Sequence, residues 1–338
     1  MKKIFAIACA AFVASAAFAI DGVKVSYKNK LSSDIVNITT GENGETSFAG
    51  LKDKTSVDFK SEKVDAGITA IVSAKKSGDK FVQETKVDDW FIEFRPINIL
   101  TLGISDLIYT NGSYLPIEDD NIANGNLGSD YVMVLRPISG LRIAAGIDNP
   151  VIFEENSKLD LNFGVDYTAD IFSLGATFRN VANDFGFGAY ASFSGLKSFE
   201  FTAGYTYNAE DAFCDVGGNI FNLGVSFGKD ALSVAADLVT NFGADEEVFA
   251  SLDLYTGLSV GYEITDSFGA SATVTYKTEF DENIVNNIVS VEPDVTFAIN
   301  KNNEIGAGVN FTFKTVGVKD NTNTTTEISF PVYWKFSL

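Results

Sequence analysis

The chain has 338 residues, which is enough for one large all-β domain or for two ordinary domains. Its 25 lysines and arginines stand against 45 aspartates and glutamates, and the formal net charge of −20 argues against nucleic acid as a partner, because phosphate binding needs a basic surface. The chain contains no histidine, which excludes histidine triads, histidine general bases and histidine-rich metal sites.

The first 19 residues have the layout of a bacterial secretory signal. Two lysines begin it, an apolar stretch follows, and the A-x-A cleavage motif AFA occupies residues 17–19. We expect export through the Sec pathway with loss of residues 1–19, and an uncleaved anchor helix is the alternative. Without those two lysines the mature chain has a formal charge of −22, and its one cysteine, Cys214, has no intramolecular disulfide partner.

Residues 22–60 give the least regular pattern, with VKVSY, IVNIT, TSFAG and TSVDF as short candidate strands. Farther along, WFIEFRPINILTLGISD at 90–106 resembles YVMVLRPISGLRIAAGID at 131–148, and each contains two strand patterns around Arg-Pro-Ile. We predict a repeated hairpin with the prolines at the turns, where a missing N–H costs nothing. A duplicated functional motif is the alternative.

The segment between these hairpins, residues 106–130, is the longest stretch without a strand pattern. Its acidic run Glu118, Asp119 and Asp120 offers oxygen ligands of the kind that Ca²⁺ prefers. The spacing matches no known calcium loop, so we predict a solvated acidic loop and no metal site.

Apolar and polar residues alternate from about residue 64 to the end of the chain. In KLDLNFGVDYT (158–168), for example, Leu161, Phe163 and Val165 form one face, and Asp160 and Asp166 lie on the other. A period of two indicates β-strands that each have one apolar face. Tight turns are predicted near residues 169–170, 195–197, 229–230, 265–267 and 300–303. Longer loops are predicted at residues 208–219, 241–247, 279–287 and 316–326.

The pattern contains 16 strands between Val64 and Leu338, and we assign two more to residues 22–60. The sequence therefore predicts an all-β protein: a transmembrane antiparallel up-and-down β-barrel of about 18 strands, with 16 as the alternative. We expect a single barrel domain over residues 20–338. Its apolar face would meet lipid, and the 29 phenylalanines spread along nearly every strand would form aromatic girdles.

The second face of these strands is small and polar, so a barrel of this width would enclose a water-filled channel. Acids outnumber bases on this inward phase, which predicts a preference for cations. The alternative is that many of these acids lie at solvated rims. The candidate pore-lining residues are Asp160, Asp166, Arg179, Asp237, Glu292 and Asp294.

Two G-x-S-x-G matches, at residues 224–228 and 257–261, lie inside alternating strands. The hydrolase motif instead requires a strand-to-helix turn and a histidine partner. We therefore predict no enzymatic activity, no catalytic residue and no cofactor.

The last strand, EISFPVYWKFSL (327–338), places Phe330, Trp334 and Phe336 on one apolar face. In this strand, in the signal and in the alternation of most of the mature chain, the sequence resembles a diderm bacterial outer-membrane porin of the general diffusion type, although Leu338 replaces the usual terminal Phe. The resemblance implies recognition by the barrel-assembly machinery, location among the lipids of the outer membrane, and passive diffusion of small hydrophilic solutes and ions. Porins often form trimers, so it leaves a homotrimer open.

A further expectation concerns residues 106–130. Long porin loops fold into the pore, and we expect this segment to form a constriction with Glu118, Asp119 and Asp120 as its charges. The alternative function is a barrel that serves mainly as a surface adhesin or structural interaction protein. A secreted soluble β-protein is a third alternative.

Overall fold

A computed structural model describes residues 23–338 apart from several connections. The expected signal at 1–19 and the acidic run at 118–120 lie outside the described residues. No helix in the part of the chain that is described is long and apolar enough to cross a membrane. Between 105 and 130, the described residues are Ser105, Tyr109, Leu115, Ile117, Leu127, Ser129 and Asp130. The other undescribed stretches are 20–22, 41–44, 48–49, 78–79, 149–159, 183–184, 209–217, 243–251, 282–283 and 319–320.

Strands make up nearly all of the described residues, and no helix occurs among them. The segments are β1 (Lys24–Thr40), β2 (Glu45–Ser47), β3 (Gly50–Lys60), β4 (Val64–Ser77), β5 (Lys80–Ile97), β6 (Leu100–Ile104), β7 (Tyr131–Leu135), β8 (Leu141–Asp148), β9 (Asp160–Thr168), β10 (Phe172–Arg179), β11 (Gly186–Leu196), β12 (Phe199–Asn208), β13 (Gly218–Lys229), β14 (Leu232–Phe242), β15 (Leu252–Thr265), β16 (Phe268–Asp281), β17 (Ile284–Asn300), β18 (Asn303–Gly308), β19 (Asn310–Val318) and β20 (Asn321–Ser337).

Two barrel strands are interrupted, so these segments form 18 strands across the described residues. Both β2 and β3 pair with β1, and both β18 and β19 pair with β17 and β20. Each barrel strand pairs antiparallel with the strands before and after it in the chain. The first strand, β1, also pairs antiparallel with the last, β20, from Lys28↔Ser337 to Thr40↔Thr326. The backbone of Tyr27 exchanges hydrogen bonds of 3.1 and 2.9 Å with Leu338. The sheet is therefore a closed barrel, and the predicted fold class with 18 strands is confirmed.

Short turns lie at the end of the barrel that also holds residues 23 and 338. They include residues 98–99, 197–198, 230–231, 266–267 and 301–302, and the last four confirm the tight turns predicted at these places. The longest connections, such as 105–130 and 149–159, lie at the opposite end. Two predicted loops were wrong: β16 and β17 are separated only by residues 282–283, and β19 and β20 only by 319–320.

The two repeated segments form the hairpins β5–β6 and β7–β8, as predicted. Pro137 lies in the second turn, whereas Pro96 lies at a register shift near the end of β5. A β-bulge tolerates a residue without an N–H as well as a turn does.

The apolar set of the alternation faces outward. On β9, for example, Phe163 is 45% exposed whereas its neighbour Asn162 is 1% exposed. Most of the buried apolar residues that the structure describes lie in two clusters, where residues of the 105–130 segment contact the wall.

Candidate functional site

The segment 105–130, called the inserted segment here, identifies the inner face of the barrel. It leaves β6 at Ser105 and returns at Asp130, where the Ser105 N–H donates to the Asp130 carbonyl at 2.8 Å. Its described side chains contact both polar and apolar residues of the strands, on the face opposite the exposed aromatic residues. The candidate site is therefore the lumen wall together with this segment.

Tyr109 ties the inserted segment to β8 and β9. Its hydroxyl donates a hydrogen bond of 2.6 Å to Asp166, and its side chain is fully buried. Arg142 Nε donates to the same carboxylate at 2.8 and 3.0 Å, and its guanidinium carbon lies 5.0 Å from the centre of the Tyr109 ring. The ring occupies the space above Gly164, where any side chain would collide with it. Burial, followed by the bond to Asp166, raises the pKa of Tyr109, so the phenol remains a proton donor.

A second set of contacts continues along β7 and β8. Asn162 donates to the Ser129 hydroxyl at 2.8 Å, and Gly146 leaves room for Ser129 and Leu127. Leu127 belongs to an apolar cluster that Phe91 on β5 covers. The buried members of this cluster are Tyr109, Leu127, Val132, Val134 and Ala144.

A third set lies on the wall formed by β13, β14 and β15. The backbone N–H of Ile117 donates to Asp237 at 2.7 Å, and Gly257 leaves space for the Ile117 side chain. Leu115 packs with Ile220 and Val239. The described residues of the inserted segment therefore contact the inner face on β7 to β9 and on β13 to β15.

The six predicted pore-lining residues occupy different environments. Asp166 and Asp237 are 2% and 5% exposed, because both carboxylates bind the inserted segment. Asp160 begins β9 and Arg179 ends β10, so both lie toward the long connections. Glu292 on β17 is exposed, and Asp294 accepts a hydrogen bond of 2.5 Å from Ser271. Glu118, Asp119 and Asp120 lie outside the described residues.

Inward lysines lie near the closing pair of strands, and the sequence pattern did not identify the two on β1 and β3, Lys30 and Lys54. Lys54, Lys30 and Lys335 are direct cross-strand neighbours on β3, β1 and β20. Lys54 forms an ion pair of 2.8 Å with Asp88, and Lys335 one of 2.9 Å with Glu304. No ion pair to Lys30 occurs in the described part of the chain, and its ammonium lies 5.1 Å from the centre of the Tyr333 ring. Like charges in direct cross-strand register are unfavourable, so these counter-charges offset the repulsion.

Arginines lie on the inner face near the short turns. Arg95 forms ion pairs with Asp65 at 2.7 Å and Glu93 at 3.1 Å, and Arg136 donates to Thr101 at 2.6 Å. The repeated Arg-Pro-Ile of the two hairpins provides Arg95 and Arg136. These contacts stabilise the two turns.

Among the described residues, no group of three or more His, Cys, Asp or Glu side chains is placed to hold a metal ion.

No protein-family model matches the chain, and no curated protein sequence matches it. Solved structures do match. OpdK of Pseudomonas aeruginosa, solved with vanillate, has a TM-score of 0.59 at 9% identity over 93% of this chain and 99% of that chain. OccAB4 of Acinetobacter baumannii has a TM-score of 0.57 at 10% identity over 94% of this chain and 99% of that chain. OccK5 (OpdH) of P. aeruginosa has a TM-score of 0.55 at 11% identity over 94% of this chain and 99% of that chain.

At these identities the likeness is one of fold. Another of the matching structures is described as an outer membrane protein, opdK of P. aeruginosa. The resemblance to outer-membrane barrels of the porin type is confirmed at this level: the chain folds as a closed, 18-stranded antiparallel β-barrel like those of the OprD and Occ channels.

Proposed function

We propose that this protein is an outer-membrane porin through which small hydrophilic solutes and ions diffuse passively. The observation that carries the proposal is the division of the closed sheet into an apolar outer face and a small, polar inner face. A closed barrel can lie in lipid because every strand has two paired edges, and 18 strands leave room for water inside. Export through the Sec pathway and insertion by the barrel-assembly machinery belong to the same proposal.

The inserted segment is the proposed constriction. Its contacts with Asp166 and Asp237 support a fixed position against the wall, because each is a charge-assisted hydrogen bond to a buried carboxylate. The acidic run 118–120 directly follows Ile117, so we propose that its carboxylates act at the narrow zone. Solutes would then be selected by size and by charge.

We also propose a preference for cations. The charged residues on the inward phase of β9 to β18 are mostly acids, with Glu292 and Asp294 on β17 as examples, and the chain has a strongly negative formal charge. The inward lysines of β1, β3 and β20 oppose this preference on one wall. Because Lys54 and Lys335 are paired with acids, we expect the acidic wall to determine the sign of the selectivity.

The test is the single-channel current of detergent-purified, refolded mature protein in a planar bilayer under a KCl gradient. Steady current steps with a cation-selective reversal potential would support the channel and its charge preference together. Steps without selectivity would remove the charge proposal and keep the channel. A correctly folded, heat-modifiable barrel without conductance would instead favour the alternative, a barrel that presents its loops as an adhesin or interaction surface.

A further inference from the structure

Two neighbouring turns of the barrel repeat one hexapeptide pattern. RPINIL (95–100) joins β5 to β6, and RPISGL (136–141) joins β7 to β8; they are called the RPI turns here. In both, the backbone closes between the isoleucine and the leucine. Ile97 pairs with Leu100, and the Leu141 N–H donates to the Ile138 carbonyl at 3.3 Å. The repeat therefore specifies the same turn twice.

The RPI turns present aliphatic side chains at the surface. Ile97, Ile99 and Ile138 are 53%, 48% and 63% exposed, and Pro137 is exposed as well. The Arg136 N–H donates to the Ile99 carbonyl at 2.8 Å, so the two turns lie side by side. Their isoleucines consequently form one apolar patch at the end of the barrel.

The other short turns at this end of the described chain differ from the RPI turns in charge. Each of them carries at least one charged residue: Glu62, Asp170, Lys197, Asp230, Asp266 and Lys301. Between the isoleucine and the leucine, the RPI turns have only Asn98 and Ile99 in one case and Ser139 and Gly140 in the other. Charge holds a turn in water, and the RPI turns lack this restraint.

The wall above the RPI turns is short. β6 and β7 have 5 residues each, whereas β15 and β16 on the opposite side of the barrel have 14 each. From Ile99 to Ser105, where flanking backbone hydrogen bonds extend the pairing, β6 covers about 20 Å at 3.3 Å per residue and about 15 Å of height at the usual strand tilt. The apolar band of such barrels is about 25 Å tall, so this wall spans it only if the bilayer thins or if flanking residues enter the lipid.

Aromatic rings support the second of these solutions. Exposed rings lie near the short-turn ends of other strands, namely Phe199, Tyr262, Phe297 and Trp334. At the same end of β6, β7 and β8, the described outward residues are Leu100, Leu135 and Leu141, and none of them is aromatic. Because aromatic residues mark the membrane–water interface, their position indicates that on β6 to β8 the interface lies lower, at the turns themselves.

The polar groups of the RPI motif are directed away from lipid or absent. Arg95 donates to the Ser61 carbonyl at 2.8 Å and forms an ion pair with Asp65, and Arg136 donates to Thr101. These contacts hold each turn from the luminal side. The prolines have no N–H, so they leave no backbone donor that an apolar medium would fail to satisfy.

We propose that the RPI turns are a lipid-binding surface, with Ile97, Ile99 and Ile138 inserted at the boundary between the head groups and the acyl chains of the nearer leaflet. The occupant is phospholipid and not a soluble protein, because the patch continues the lipid-facing wall of β6 to β8 without a charged residue between them. The repeated motif thus anchors the short wall, while the charged turns stay in water. The inference rests on the proposed function only in that the outer face meets lipid.

Fluorescence quenching in vesicles tests this placement. In a Trp90→Phe/Trp334→Phe background, Ile138→Trp reports on the RPI turns, and Lys301→Trp reports on a charged turn as the matched control. Each protein is refolded into dioleoylphosphatidylcholine vesicles and into vesicles of the same lipid brominated on its acyl chains. We expect the brominated lipid to quench the Ile138→Trp variant several-fold more than the Lys301→Trp variant, and aqueous acrylamide to give the reverse order.

Two results would overturn the proposal. Equal quenching of both variants by brominated lipid would mean that the RPI turns lie no deeper than a charged turn. Stronger acrylamide quenching of Ile138→Trp than of Lys301→Trp would show an apolar patch open to water, which suits a soluble partner protein.

Spin labels give a second measurement with the natural tryptophans in place. In a Cys214→Ser background, nitroxides are attached to Ile138→Cys and to Lys301→Cys. Collisions with O2, which concentrates in lipid, should dominate at position 138, and collisions with a water-soluble nickel chelate should dominate at position 301. Equal collision rates at the two positions would overturn the lipid surface.

Single-channel conductance of the same labelled proteins separates this inference from the channel proposal. Conducting barrels with equal label accessibility at both positions would overturn the lipid surface and leave the channel intact. A lipid-exposed label at position 138 in a folded barrel without conductance would support the lipid surface and remove the channel proposal.

Discussion

The Tyr109 hydroxyl donates a 2.6 Å hydrogen bond to Asp166 on β9. The two residues are 57 positions apart, and the complete β7–β8 hairpin lies between them in the sequence. Because Arg142 contacts the same carboxylate at 2.8 Å, one buried acid joins the inserted segment to two wall strands. Removing the acid would take away the acceptor of a buried phenol and one ion-pair partner of Arg142, whereas removing the phenol's oxygen takes away only the hydrogen bond of the segment.

Tyr109→Phe should loosen the inserted segment without disturbing the barrel. The ring still fills the space above Gly164, but the segment loses one hydrogen bond to a charged group, about 1.5–3 kcal/mol. We expect larger fluctuations of the open-channel current in a planar bilayer. The control is Tyr205→Phe, which loses a 2.7 Å bond to Asn219 on the outer face. Equal current noise in both variants would contradict a role for Tyr109 in positioning the segment.

Asp237 should respond to substitution according to whether an acceptor remains. Asp237→Asn keeps an oxygen for the Ile117 N–H, whereas Asp237→Ala leaves this backbone donor without its acceptor at a cost of about 1–3 kcal/mol. We expect Asp237→Asn to retain the conductance of the natural protein and Asp237→Ala to show a higher or less steady conductance. An equal change in both variants would mean that the charge, and not the hydrogen bond to the segment, determines the conductance.

The alternation of the sequence predicted the strands well wherever the outer face is uniformly apolar. From β9 onward each described strand presents the expected face, and Phe163, Leu174 and Leu223 are all exposed on the outside. The two loops predicted at 279–287 and 316–326 were wrong because polarity was taken as the end of a strand. Backbone pairing continues there through Thr, Asn and Val residues, since an antiparallel ladder needs no apolar face above the membrane.

Polar residues on the outer face of β1 and β3 show why residues 22–60 were difficult to interpret. Asn29, Asp53 and Thr55 occupy outward positions, so they break the alternation that indicates a lipid-facing strand. The inward lysines of β1 and β3 consequently escaped assignment. The contacts of Asp166 and Asp237 had no sequence signal at all, because their partners lie 57 and 120 residues away.

Charge substitutions on opposite walls should shift the ion selectivity in opposite directions. Glu292→Gln removes an exposed acid from β17 and should lower the ratio of cation to anion permeability, whereas Lys30→Gln removes a lysine without a described ion pair and should raise it. The measurement is the reversal potential under a KCl gradient. Asp230→Asn, in a short turn where φ is 53°, provides a control because Asn also adopts this conformation. A shift in the control equal to that of Glu292→Gln would assign the effect to overall charge.

Gly306→Ala should destabilise the barrel close to its seam. The Tyr333 ring lies across Gly306, its hydroxyl donates to Glu304 at 3.0 Å, and the Lys335 ammonium lies 4.6 Å from the ring centre. A methyl group at Gly306 collides with the ring, and such overpacking costs about 1–3 kcal/mol. Unfolding by urea from lipid vesicles, followed by heat-modifiable gel mobility, measures the change.

Gly228→Ala is the matched control for Gly306→Ala, because a methyl group there would meet no atom within 4 Å. The double variant Gly306→Ala/Tyr333→Ser tests the cause directly, since the smaller side chain removes the collision. We expect Gly306→Ala to cost less stability in the Tyr333→Ser background than in the natural protein. Comparison with Tyr333→Ser alone corrects for the loss of the ring's contacts with lysine, which both variants share. If Gly306→Ala and Gly228→Ala unfold at the same urea concentration, the ring can move aside at no cost, and the Tyr333 cluster does not fix the wall at the seam.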